Sequence, residues 1–241
     1  MTLKEEYDIW HQRVFESDPT HNDASSPWYE LVRKRLGNIN GLRVLEIACG
    51  RGSFAWEMAT MGANVTGCDF SGSAMAIAKA KSEWHLSDNF PVFVQGDAQN
   101  LPFADQSFDL VVSCETIEHV PDVEAALREF WRIARHGGRL LLTTPNYVNL
   151  MGLYDLYTRV RRGRKDDQPF DRRQSFLQVR GWVEGAGWKI THSDGSVHQL
   201  PIFPGHNPIS LSVLEANHIV RRLLSPFAYH YFLVCEKAAA A

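Results

Sequence analysis

The stretch Val44-Leu45-Glu46-Ile47-Ala48-Cys49-Gly50-Arg51-Gly52-Ser53-Phe54-Ala55 decides how the rest of the chain is read. It opens as an apolar run rich in β-branched and large side chains, the pattern of a parallel strand buried on both faces. Two glycines separated by one residue follow, then Phe54, Met58 and Met61 at helical spacing. Strand, glycine turn and helix make a nucleotide-binding corner. Glycine lets the chain turn sharply and lets a ligand lie against the backbone with no Cβ between them. The first N–H groups of the helix are unpaired. Gly50-x-Gly52-x-x-Ala55 also fits the dinucleotide fingerprint. Glu46, still on the strand and four residues before Gly50, is what separates the two readings.

Beyond this corner, strands are predicted over residues 42–49, 63–70, 91–95, 108–113 and 139–144. Helices are predicted over 52–61, from Ser71 or Ser73 to about 86, and over 122–135, where His136-Gly137-Gly138 reads as the stop signal. This alternation implies a parallel sheet with helices on both faces. Acids stand at the strand ends, where ligands of such sheets lie. Asp69, in Gly67-Cys68-Asp69-Phe70-Ser71, can bond both hydroxyls of a ribose. Asp97, in Gln95-Gly96-Asp97-Ala98-Gln99-Asn100-Leu101-Pro102-Phe103, can accept from an exocyclic adenine amine, and the Ala98 N–H can meet the ring. The fourth strand runs into Ser113-Cys114-Glu115-Thr116-Ile117-Glu118-His119-Val120-Pro121-Asp122.

Glu46-x-Ala48-x-Gly50-x-Gly52 resembles the first motif of the class I S-adenosylmethionine-dependent methyltransferases. The stretches after the third and fourth strands resemble their ubiquinone/menaquinone-type branch (methyltransferase type 11). The resemblance covers roughly residues 42–145, whereas a dehydrogenase explains only the first motif. It implies an α/β fold: a Rossmann-like seven-stranded mixed sheet, last strand antiparallel, flanked by helices beneath a helical cap. It implies S-adenosyl-L-methionine as methyl donor and S-adenosyl-L-homocysteine as product. Carried over by position, Gly50 and Gly52 pass the methionine part, Glu46 orders the loop, Asp69 holds the ribose, and Asp97 with Ala98 reads the adenine. Cys114 and Glu115 line the donor through backbone atoms, and Ala48 and Phe70 complete the donor set.

The sulfonium of such a donor makes the methyl intrinsically electrophilic. The protein has mainly to align an acceptor and exclude water, with a base needed only where the acceptor must lose a proton. His119 is the candidate base. Glu115-x-x-Glu118-His119 also resembles the metal-binding pattern of ubiquinone-biosynthesis O-methyltransferases, but the same string occurs in metal-free relatives, and no metal is expected. Ser113-Cys114-Glu115-Thr116 stands where N-methyltransferases of bases or glutamine carry D/N-P-P-Y, so DNA is not an expected partner.

With 241 residues, 44% hydrophobic and net charge −3, the chain suits one α/β domain and is not a bulk nucleic-acid binder. It has no apolar run long enough to span a bilayer and no apolar signal core near Met1, so a cytoplasmic protein is expected. Cys49, Cys68, Cys114 and Cys235 form no C-x-x-C pair and read as buried thiols. The tail from Ala238 to Ala241 is set aside.

The single domain divides into an N-terminal helical cap (1–40), the donor-binding core (41–145), a cap insertion (146–174) and the C-terminal half of the sheet with an inserted helix (175–237). Helices are predicted over 3–17, from about 28 to 36, over 147–160, 175–184 and 209–224. Strands are predicted over 188–192 and 229–235, and a loop over 195–208. Tyr7, Trp10, His11, Trp28 and Tyr29, with Tyr147 and His198, are the expected acceptor walls. The 147–160 helix is apolar on more than one face and adjoins Arg159, Arg161, Arg162, Arg164 and Lys165. These features suit a small or lipid-like acceptor methylated at oxygen or carbon, with peripheral membrane contact. The alternatives are a methyltransferase of RNA or protein that uses the basic cluster, and a donor-binding protein without transfer activity. Oligomeric state is left open.

Overall fold

The computed structural model describes residues 1–18, 23–80, 89–162, 168–196, 199–202, 206–210, 217–224 and 227–239. The helices are α1 (Leu3–Ser17), α2 (Pro27–Leu36), α3 (Ser53–Thr60), α4 (Gly72–Ala80), α5 (Val123–Ile133), α6 (Leu150–Arg162) and α7 (Phe176–Gly185), with a short later helix His218–Leu223. The strands are β1 (Arg43–Ile47), β2 (Asn64–Asp69), β3 (Val92–Gln95), β4 (Phe108–Cys114), β5 (Ala134–Pro145), β6 (Lys189–Ser196), β7 (Gln199–Ile202), β8 (His206–Ser210) and β9 (His230–Glu236).

Seven strands form one sheet in the order β3-β2-β1-β4-β5-β9-β6. β1 pairs in parallel with β2 and β4, and β9, the last strand, runs antiparallel to both β5 and β6. Alternation along each strand divides the core. Val44, Val65, Leu110, Val112 and Phe232 face α2, α3 and α4, where Leu36, Phe54, Met58 and Met75 are buried. Leu45, Ile47, Val111, Leu142 and Leu233 face α5 and α7, meeting Leu127, Phe130, Ile133 and Val183. Burial of such side chains contributes about 1.5–3 kcal/mol each, which is what commits the sheet to being covered on both faces. The helix starts follow local chemistry: Thr2 and Ser175 build capping boxes, and Asp122 caps α5 through Ala125 N–H.

Three expectations need correction. His136-Gly137-Gly138 does not stop the helix. α5 ends at Ile133 and β5 begins at once, with Phe108 opposite Ala134 but Leu110 already opposite Arg139. The glycines sit in the bulge this register shift creates, Gly137 at φ 73° with its N–H on the Lys237 carbonyl. The expected loop over 195–208 contains the β7–β8 hairpin. Pro201 and Pro208 disguise it, because proline is tolerated in a two-stranded ladder where every strand is an edge. Of the expected helix over 209–224, residues 209 and 210 belong to β8 and His218–Leu223 is helical, while 211–216 lie outside the described residues. α6 packs beside β7.

Candidate active site

The loops at the carboxyl ends of β1, β2, β3 and β4 meet in one cleft, roofed by α1. In the first loop Ala48, Gly50 and Gly52 all have positive φ, at 53°, 51° and 72°. Gly52 N–H donates back to the Cys49 carbonyl at 2.8 Å, and Gly50 N–H donates to Asp69 Oδ2 at 2.9 Å. Gly52 also solves a packing problem: a Cβ there would lie 2.6 Å from the Phe93 ring carbons. Ala48, Gly50 and Arg51 line the cleft, whereas Glu46 is buried on β1 at 1% exposure.

Asp69 ends β2 with its second oxygen accepting from Ser71 N–H at 2.9 Å. Asp97 accepts from Gln99 N–H at 2.9 Å, and Gln99 Oε1 accepts in turn from Asp122 N–H, tying the β3 loop to the start of α5. Phe70, Asp97 and Ala98 line the cleft. Cys49, Cys68, Cys114 and Cys235 are free and buried, and burial pushes the Cys68 thiol up to about 12, so these thiols stay protonated.

After β4 the backbone turns through Glu115 at φ 50°, a conformation that costs a non-glycine residue energy and recurs at functional sites. Glu115 lines the cleft, and its Oε2 accepts from His230 Nδ1 at 2.9 Å. His119 follows on a 3₁₀ turn, Ile117–His119, with Nδ1 2.7 Å from the Phe170 carbonyl. A carbonyl only accepts, so Nδ1 carries the hydrogen and Nε2 keeps its lone pair, 3.7 Å from Glu118 Oε1. Desolvation by burial lowers the His119 pKa and keeps the imidazole neutral. The buried Glu118 carboxyl is pushed well up by desolvation and then by Glu115, and it accepts from Thr144 Oγ1 at 2.8 Å. The three groups of the Glu115-x-x-Glu118-His119 string thus turn to three different partners. Among the described residues no three His, Cys, Asp or Glu groups stand where they could hold a metal ion.

The roof comes from α1: Leu3, Tyr7, Trp10, His11 and Val14 line the cleft along one helix face, with Tyr29 from α2. Tyr7 Oη donates to the same Phe170 carbonyl at 3.2 Å and meets Phe70 edge-on at 6.3 Å. Trp28 is not at the cleft but stacks over His230, ring centroids 4.5 Å apart. Tyr147 is not there either, since its hydroxyl is on Asp171 at 3.2 Å. His198 lies outside the described residues, as do the side chains of Arg159, Arg162, Arg164 and Lys165.

Sequence reasoning missed Arg51, Gln168 and His230. Arg51 stood between the two motif glycines and could have been found there. Gln168 and His230 carry no local signal and reach the site only through the fold.

Residues 45–142 match the family model described as a methyltransferase domain. The chain is 33% identical to the demethylmenaquinone methyltransferase of Lactococcus lactis over 136 residues, 53% of this chain and 54% of that protein. It is 27% identical to the ubiquinone biosynthesis O-methyltransferase of Photorhabdus laumondii over 191 residues, 73% of this chain and 75% of that one. The chain spans about half the length of the demethylmenaquinone methyltransferases it matches. In fold it is similar to an S-adenosylmethionine-dependent methyltransferase of Thermotoga maritima, with TM-score 0.66 at 20% identity, covering 98% of this chain and 100% of that one.

Proposed function

We propose, from the match of residues 45–142 to the family model described as a methyltransferase domain, that the chain transfers a methyl group from S-adenosylmethionine to a small or lipid-like acceptor, at oxygen or carbon. The observation that carries this reading is the convergence of Gly50, Asp69, Asp97, Glu115 and His119 on one cleft roofed by aromatic side chains. The residues present fit the donor. Its ribose hydroxyls, adenine amine and ammonium are all hydrogen-bond donors, and carboxylates wait for them at successive strand ends. Glu115 Oε1 is buried with no hydrogen-bond partner among the described residues, an acceptor left over for a ligand or water.

When bound, the donor supplies the electrophilic methyl group. Asp69 then holds the ribose, since each carboxylate oxygen has lone pairs beyond those used by Gly50 and Ser71. Asp97 and the Ala98 N–H take the adenine. Tyr7, Trp10 and Phe70 exclude water from the transfer site. His119 accepts the acceptor's proton at Nε2, while its Nδ1–H on Phe170 fixes the ring.

An apolar acceptor is supported by the relatives named for menaquinone and ubiquinone synthesis. It is also supported by the exposure of Val148, Leu153, Leu156 and Val160 in and beside α6, at 65, 60, 43 and 77%. That apolar surface beside the basic run is the proposed place of peripheral membrane contact.

The test is mass spectrometry of demethylated prenylquinones and of a lipid extract incubated with the protein and methyl-labelled donor, beside calorimetry with S-adenosylhomocysteine. Asp69→Ala is expected to weaken S-adenosylhomocysteine by about 1–3 kcal/mol. Binding of NADH with no response to S-adenosylhomocysteine would overturn the reading.

A further inference from the structure

Residues 168–174, between α6 and α7, are tied to the turn that carries His119. The Phe170 carbonyl accepts from His119 Nδ1 at 2.7 Å and from Tyr7 Oη at 3.2 Å. Arg172 N–H donates to the Glu118 carbonyl at 2.7 Å, and the Arg172 guanidinium donates to the Pro121 carbonyl. Gln168 lines the cleft and is half-buried there. It precedes Phe170 by two residues, and two residues of extended chain span at most about 7 Å. Gln168 and the His119 imidazole therefore stand at the same end of the cleft. Other polar side chains of the cleft are engaged within the protein. Gln99 Nε2 donates to Asp97, Glu115 accepts from His230, and Thr116 Oγ1 donates to the Cys114 carbonyl. The Gln168 amide has no hydrogen-bond partner among the described residues.

We propose that Gln168 is a specificity-determining residue, its side-chain amide bonding a second oxygen of the acceptor beside the group whose proton His119 takes. This rests on the methyl-transfer reading above and adds the residue that selects among acceptors. A side-chain amide donates and accepts at once, so it meets a hydroxyl or a carbonyl oxygen equally. In the open cleft, water serves it. An acceptor that fills the cleft displaces that water, and the amide is then left unpaired unless the acceptor offers it a partner. An acceptor with one oxygen satisfies His119 and strands Gln168. An acceptor with two satisfies both, and its orientation toward the methyl group is fixed at two points.

The test is calorimetry on the full chain saturated with S-adenosylhomocysteine, under argon. It compares α-naphthol with the two naphthalene diols that carry a second hydroxyl on the same ring, ortho or para to the first. The unmodified protein is expected to bind the better diol on the order of 10-fold more tightly than α-naphthol, the worth of one hydrogen bond. Gln168→Leu should lose that preference by weakening the diol while leaving α-naphthol, and S-adenosylhomocysteine itself, bound as before. Equal affinity of the unmodified protein for all three compounds overturns the proposal without any variant. A preference that survives in Gln168→Leu overturns it, because another group then reads the second oxygen. An equal loss for α-naphthol and the diol also overturns it, because Gln168 then acts only by packing. If S-adenosylhomocysteine binds and none of the three compounds does, the reading of this cleft end as the acceptor site falls, and this proposal with it.

Discussion

At the scale of single residues, Gly52 and His119 make the sharpest claims. Gly52 combines φ 72° with a Phe93 ring 2.6 Å from where a Cβ would stand. Gly52→Ala should therefore cost about 2–5 kcal/mol, the sum of a left-handed backbone penalty and an overpacking clash. Phe93→Leu in the same chain should recover the clash and leave the backbone part. A denaturant-melt double-mutant cycle reads the coupling, and strict additivity would show that Phe93 is not the obstacle. His119 makes a claim about pH. Its folded pKa lies below 6.5, with desolvation as the main cause, so the unfolded chain binds more protons between the folded value and 6.5. Its contribution is whole above 6.5 and is lost as pH falls through that window. Glu118 acts in the opposite sense: its carboxyl is raised by burial, so its contribution declines as pH rises above 4.5. His119→Gln should flatten the loss of stability between pH 7 and 5.5 in urea melts, and an unchanged slope would refute this assignment.

At the scale of elements, α1 is held to the core by its Asp8 carboxylate. That group accepts from Ser71 Oγ at 2.8 Å and Ser73 N–H at 3.1 Å, at the N-terminus of α4, and pairs with Lys4. Burial pushes the carboxyl up, but the bonds from Lys4, Ser71 and Ser73 outweigh it and hold the pKa at about 2. Asp8→Ala should loosen the roof by about 1 kcal/mol, the usual worth of such a cap. Amide exchange over residues 7–14 should quicken while the rest of the fold keeps its protection; unchanged exchange there would mean that α1 is held by its apolar face alone. The elements also separate what the sequence makes legible from what it hides. β1 to β5 and their helices could be read because period and caps agree, as at Asp122 and Ser175. The β7–β8 hairpin could not, because Pro201, Pro204 and Pro208 break the alternation that would mark it. The place of Asp69 in the cleft was legible because strand ends converge by topology. The Glu115–His230 pair spans 115 residues, and no local pattern announces it. Trp28 was read as an acceptor wall from its aromatic character, but its ring is taken up by His230.

At the scale of the whole molecule, the cleft draws residues from the ends of β1, β2, β3 and β4, from α1 and α2, and from Gln168 beyond α6. A ligand held there touches segments that are remote in sequence. Its binding energy should therefore appear in the global unfolding transition and not only in a local one. With free ligand at 100 times its dissociation constant, a folded state that alone binds gains about 2.7 kcal/mol. For a chain of this size each kcal/mol moves Tm by about 2–4 °C. S-adenosylhomocysteine near saturation should then raise Tm by roughly 5–10 °C in calorimetry. The shift should grow with the logarithm of ligand concentration and shrink in Asp69→Ala. NADH at the same concentrations should leave the transition in place. If S-adenosylhomocysteine saturates in calorimetric titration yet leaves Tm where it was, the ligand binds the unfolded chain equally well, and the cleft described here is not its site.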